Sequence, residues 1–218
     1  MILDPFRMTI AVVPIAAYLL LLAVINARSR PMLINGGRDL FTLGMALSGL
    51  VVVGPIELLR PEAAAAEFGN YVWLSLLVFY WLWVLLAVLV ARPRLVIYNI
   101  TAEELRPILA EAAAELDTNS RWAGDSLSLP ELGVQLHIDE FAVMRNVALA
   151  SSGARQNLDG WHRLGGALAH KLQPVRIRPN PWTVAFALAG VLFLGASLGH
   201  MLGHPLQLAE AMREVLEY

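Results

Sequence analysis

The sequence predicts a membrane protein with four transmembrane α-helices and a small α+β domain inserted between the third and the fourth. Three observations carry that prediction. The 218 residues are 57% hydrophobic and only 16% charged, with a mean hydropathy of +0.59, too apolar for an ordinary soluble chain of this length. Four stretches, at about 9–26, 41–59, 71–91 and 181–203, approach the roughly 20 apolar residues that a bilayer's hydrocarbon core requires. Between the last two lies a polar segment, 92–180, long enough to fold as a domain of its own.

Each span has its own character. The first, Thr9 to Asn26, contains Pro14, and the second, Phe41 to Leu59, contains Gly54-Pro55; both are expected to bend. The third, Tyr71 to Ala91, is crowded with Trp73, Phe79, Tyr80, Trp81 and Trp83, and Tyr71 and Trp73 near its start suit an interfacial aromatic belt. The fourth, Pro181 to Gly203, repeats Gly195, Gly199 and Gly203 every four residues, a stripe on which another helix can close. The bulky third span is its natural partner within the chain. After it, residues 204–218 read as an outer amphipathic helix, with Leu208, Met212, Val215 and Leu216 on one side.

Lys and Arg are retained on the cytoplasmic side of a membrane. Arg28, Arg30, Arg38, Arg92, Arg94, Lys171, Arg176 and Arg178 flank one side of the spans, and Arg7, Arg60 and Arg213 the other. The expected topology therefore has both termini outside a bacterial-type inner membrane and residues 92–180 in the cytoplasm. Reading the first span as a cleaved signal peptide conflicts with this, because it would export the Arg-rich loop, and Asp4 makes a poor start for such a segment.

Within the insert, Arg94 onward is a short β-rich run, followed by a helix start. Thr101 is the N-cap, Glu104 closes a capping box and Ile100 is placed to staple onto Leu105. Pro107 is a flaw in that helix, predicting a distortion or a start one turn later. SLSLPELGVQLHID alternates about Pro-Glu-Leu-Gly as a hairpin does, with Leu127, Leu129, Val134, Leu136 and Ile138 facing a core. FAVMRNVALA, from Phe141, is a further strand, and QNLDGWHRLGGALAHKL closes the domain as a helix burying Trp161, Leu164, Leu168 and Leu172. The predicted order is β-α-β-β-β-α, a sheet with helices on one face.

Function is less legible. A net charge of −2 argues against nucleic acid as a partner, and the absence of cysteine excludes disulfides, thiolate metal sites and thiol catalysis. No phosphate-loop, dinucleotide, zinc-protease, serine-hydrolase or EF-hand motif is present. His137 and Asp139 share one strand face as a weak acid/base pair. Together with Ser126, Ser128 and Gln135 they also form a polar surface suited to a protein partner, for which Trp122, Phe141 and Arg145 are candidate anchors. The loop from Ser151 either caps the following helix or receives an anion.

His200 and His204 lie four residues apart on the fourth span. With Glu57 they would make a two-His, one-carboxylate metal set, or a haem site. Against that, Gly203 lies about 34 Å along the helix from Pro181, at the outer interface, where polar side chains need no ligand. The expectation is therefore a non-catalytic accessory, scaffold or sensor subunit without a cofactor, whose cytoplasmic module binds a protein partner. A metal or haem protein at His200/His204 and an enzyme at His137/Asp139 are the alternatives.

Overall fold

The computed structural model describes residues 5–56, 67–69, 71–154 and 156–203. In chain order the elements are α1 (Pro5–Ala27), β1 (Met32–Asn35), α2 (Gly36–Val51), α3 (Tyr71–Val90), β2 (Arg94–Tyr98), α4 (Ala102–Leu116), β3 (Arg121–Ala123), β4 (Ser126–Leu129), β5 (Val134–Phe141), β6 (Asn146–Ser151), α5 (Leu158–Leu172) and α6 (Trp182–Gly203). They form two units. One holds Ala23–Leu40 and Val90–Thr183; the other holds the remainder of the four long helices.

Among the described residues, four helices are long and apolar enough to cross a membrane. Their packing is inverted relative to a water-soluble protein. The inward positions are small, with Ala16 fully buried, while Leu74, Phe79, Trp83 and Leu192 are each more than half exposed. Such a helix assembly has its greasy surface outside, as lipid contact requires. Between helices, the Tyr80 hydroxyl donates to the Gly44 carbonyl at 2.7 Å, and the Ser197 hydroxyl donates to Thr9 Oγ1 at 2.9 Å. Gly54-Pro55 lies in a π-helical turn, Val52–Ile56, as expected where proline removes a backbone donor.

Among the described residues, the glycine stripe is not where helices meet. A Cβ built on Gly195, Gly199 or Gly203 meets nothing within 4 Å. The third span therefore does not fill that groove. The close approaches are at Gly44 beside Val84, Gly190 beside Leu20, and Gly49 against the backbone of Ile10.

The second unit is a six-stranded antiparallel sheet in the order β1-β2-β6-β5-β4-β3. Period-two alternation sends Leu95, Ile97, Leu127, Leu129, Val134, Leu136, Ile138, Val147 and Leu149 to one face. Leu105 and Leu109 of α4 and Trp161, Leu164 and Leu168 of α5 cover it. Lys171, the chain's one lysine, ties the two helices by reaching Glu111 at 2.8 Å and Glu115 at 2.7 Å, and those hydrogen bonds raise its pKa.

The local expectations at α4 hold. Thr101 and Glu104 form the capping box, and Ile100 and Leu105 are both fully buried in the core. The helix starts at Ala102 and runs through Pro107, so the later start is corrected: the cap and staple outweigh one lost donor. Between β4 and β5, Gly133 takes φ +63° and its N–H donates to the Pro130 carbonyl at 3.2 Å, which closes the hairpin.

The element order differs in three places. β1 is drawn from the loop after the first span and pairs with β2, Met32 opposite Tyr98 and Ile34 opposite Val96. β3 adds a three-residue edge strand to the hairpin. The run from Phe141 is not one strand: Phe141 ends β5, Ala142–Met144 form a 3-10 turn, and Arg145 at φ 52° turns the chain into β6.

Candidate functional site

Both helices of the sheet unit lie on one face, so the residues that can meet a ligand or partner are those pointing the other way. On β4 and β5 these are Ser126, Ser128, Gln135, His137, Asp139 and Phe141, the positions alternating with the core residues. Near β2 this face is partly covered. The Asp39 carboxylate, in the first turn of α2, receives the Tyr98 hydroxyl and, at 3.0 Å, the Arg94 guanidinium.

Pairing of Ser126 with His137 across the β4–β5 ladder brings a hydroxyl, an imidazole and a carboxylate together. Ser126 Oγ is 3.1 Å from His137 Nδ1, and His137 Nε2 is 3.6 Å from Asp139 Oδ1. The second distance exceeds a hydrogen bond, and the imidazole and carboxylate are 46% and 60% exposed. A general base working on a serine needs a positioned partner, a dry site and donors for the developing oxyanion. This open surface excludes no water. The arrangement is a solvent-exposed, hydrogen-bonded polar patch.

The three anchor candidates separate. Trp122 packs against the core and carries the Arg106 guanidinium 5.1 Å above its ring, and Arg106 is held in turn by Asp125 at 3.1 Å and the Gly124 carbonyl at 2.6 Å. Arg145 donates to both oxygens of Glu104, at 3.2 and 3.0 Å, and to the Arg178 carbonyl. Partial burial raises the Glu104 carboxyl, but the Thr101 backbone N–H and Arg145 outweigh it and hold the pKa below the usual carboxylate value. Phe141 is 56% exposed, beside a shallow depression of about 230 Å³ lined by Val96, Ala148 and Asn146. It is the anchor that remains available.

The loop from Ser151 caps α5. Asn157 accepts from the Asp159 N–H at 3.0 Å, and the Gln156 amide joins Trp161 Nε1, at 2.8 Å, to the backbone of Gln135. Of the proposed metal set, His200 lies in α6, whereas Glu57, His204 and the 204–218 helix lie outside the described residues. Among the described residues no group of three His, Asp or Glu side chains is arranged to hold a metal.

One cluster had no signature in the sequence. Asn26 at the end of α1, Asn99 after β2 and Asn180 before α6 are all buried. Asn180 Nδ2 donates to Asn26 Oδ1 at 3.0 Å and to the Met144 carbonyl at 2.7 Å, while its Oδ1 accepts from the Trp182 N–H at 3.1 Å. Asn99 Nδ2 donates to the Arg28 carbonyl at 2.7 Å. The asparagines tie the end of α1 and the start of α6 to the sheet.

Comparison with known protein families, curated proteins and solved structures finds no match to this chain.

Proposed function

We propose that the protein is an integral membrane accessory, scaffold or sensor subunit whose α+β unit binds a protein partner in the cytoplasm, through the open face of β3, β4 and β5. The observation that carries the reading is the one-sided cover of the sheet. Its helices protect one face, and the other presents Ser126, Ser128, Gln135, His137 and Asp139 beside the exposed ring of Phe141. An aromatic anchor with a polar surround is the usual make-up of a binding patch. The four long apolar helices, large side chains outward, support the membrane placement, and the charge asymmetry of the flanks supports a bacterial-type inner membrane with both termini outside.

Two experiments test this. Because the chain has no cysteine, Arg163→Cys on α5 gives a single labelling site. A membrane-impermeant maleimide should modify it only after the cells are permeabilised. Labelling in intact cells would reverse the topology. For the partner face, a photo-crosslinking residue at Asp139 should yield a discrete adduct that the same residue at Arg163 does not. Phe141→Ala should weaken that adduct about tenfold or more, as loss of a central aromatic anchor does. Equal adducts from both faces, or an adduct indifferent to Phe141, would remove the open sheet face as the partner site.

A further inference from the structure

The loop that leaves α1 lines a cleft of about 550 Å³ with the end of α5. Its walls are amphipathic. Pro31, Met32, Leu33 and Leu172 supply apolar surface, and Arg28 and Arg30 supply charge. Three arginines of the sheet unit have a carboxylate: Arg94 has Asp39, Arg106 has Asp125 and Arg145 has Glu104. Arg28 and Arg30 have none among the described residues. Among the described residues the Arg28 guanidinium hydrogen-bonds to the Met32 sulfur, at 3.9 Å, a weak acceptor.

A second pair joins them. The Ile177 N–H donates to the Ser29 carbonyl at 3.0 Å, which brings the backbone of the segment carrying Arg176 and Arg178 alongside that of residues 28–30. These two are also exposed and without a carboxylate partner among the described residues. Arg28 and Arg30 thus line the cleft, with Arg176 and Arg178 on the adjoining segment and no carboxylate paired with any of the four among the described residues. The end of a helix would ordinarily oppose an anion here through its free carbonyls. At α5 the His170 and Leu172 carbonyls already accept from the Gln173 and Val175 N–H groups, at 3.3 and 3.2 Å, which mutes that opposition.

We propose that this cleft binds a phosphate-bearing anion, the phosphodiester headgroup of an anionic phospholipid. Guanidinium forks match phosphate oxygens bidentately, and the apolar wall accepts the glycerol carbons that follow the phosphate. Position along the chain selects lipid over a free phosphate: Arg28 directly follows α1, and Arg176 and Arg178 precede α6 by a few residues, which places all four at headgroup depth. This rests on the reading that α1 and α6 cross a bilayer.

The full-length protein, purified in a neutral detergent, is titrated with dihexanoyl phosphatidylglycerol, dihexanoyl phosphatidylcholine and inorganic phosphate, and adducts are counted by native mass spectrometry. Phosphatidylglycerol should bind at one saturable site, with affinity falling about tenfold or more in Arg28→Gln/Arg30→Gln. Arg28→Lys/Arg30→Lys should restore part of it. Arg121→Gln/Arg163→Gln, which removes two exposed charges elsewhere on the unit, should leave it unchanged and guards against a general charge effect. Equal binding of phosphatidylcholine, or no loss in the Gln pair when its thermal midpoint matches wild type, would overturn the site. Binding of inorganic phosphate as tight as the lipid would overturn the lipid as the source. Carbonate extraction of native membranes runs in parallel: a protein released by carbonate fails the membrane reading itself, whatever the titrations give.

Discussion

Gly49→Ala should unfold the helical unit, or cost it about 3 kcal/mol or more, the upper range of overpacking penalties. A Cβ at this position would collide with the Ile10 carbonyl oxygen and lie 3.0 Å from the Pro14 ring. The obstacle is backbone, so no rotamer change relieves it. The sequence explains why this carbonyl is the one approached. Proline has no N–H, so Pro14 leaves the Ile10 oxygen, four residues earlier in α1, without its helical hydrogen bond. Gly49 of α2 brings its Cα against that oxygen, where a Cα–H···O contact gives the carbonyl partial satisfaction. Gly199→Ala, where a Cβ meets nothing within 4 Å among the described residues, should change stability by less than about 0.5 kcal/mol. Unfolding in mixed SDS micelles, followed by circular dichroism, compares the two. A Gly49→Ala variant as stable as Gly199→Ala would mean that α1 and α2 do not meet here.

That contrast shows what periodicity can and cannot reveal. Gly195, Gly199 and Gly203 form the conspicuous repeat, yet the chain packs on the isolated Gly49, whose partner is set by a proline 35 positions away. A repeat marks a face that permits close approach, and only tertiary structure decides which permitted face is used. The local signals fared better because their physics is local. The Thr101–Glu104 box, the Ile100–Leu105 staple and the alternation from Ser126 to Ile138 each depend on neighbours within a few residues. β1 and β3, of four and three residues, are too short to show a period, and β1 is a strand only because β2 pairs with it. At the candidate site, the outward face of β4 and β5 was legible from the same alternation. The Ser126–His137 contact needed the register across the hairpin, and the approach of the segment carrying Arg176 and Arg178 to that carrying Arg28 and Arg30 needed the hydrogen bond of Ile177 to Ser29. The asparagine cluster was beyond sequence reasoning, since the Asn180–Asn26 bond spans 154 positions.

Replacement of Asn99 should separate the backbone role of that residue from its side-chain role. Asn99 is fully buried and has φ +66°, in the left-handed region that asparagine tolerates better than most residues. Its Nδ2 donates to the Arg28 carbonyl at 2.7 Å and reaches the Asn26 carbonyl at 3.5 Å, holding the chain that leaves α1. Asn99→Gly keeps the conformation and loses the donor, so the cost is that of a carbonyl left without its partner, about 1–3 kcal/mol. Part of this is offset, because Oδ1 is itself buried without a partner among the described residues and disappears with the amide. Asn99→Ala adds the steric penalty of a Cβ at positive φ, about 1–2 kcal/mol. Asn99→Asp should be worst of the three: it keeps the shape but turns a buried donor into a charged acceptor facing two carbonyl oxygens, and burying that charge carries a desolvation cost. The expected order of stability is wild type, Gly, Ala, Asp, read from thermal unfolding of the full-length protein in detergent. An Ala variant as stable as the Gly variant would show that the left-handed backbone here is not fixed. An Asp variant as stable as wild type would show that the amide does not face the Arg28 carbonyl, and would detach α1 from the asparagine cluster.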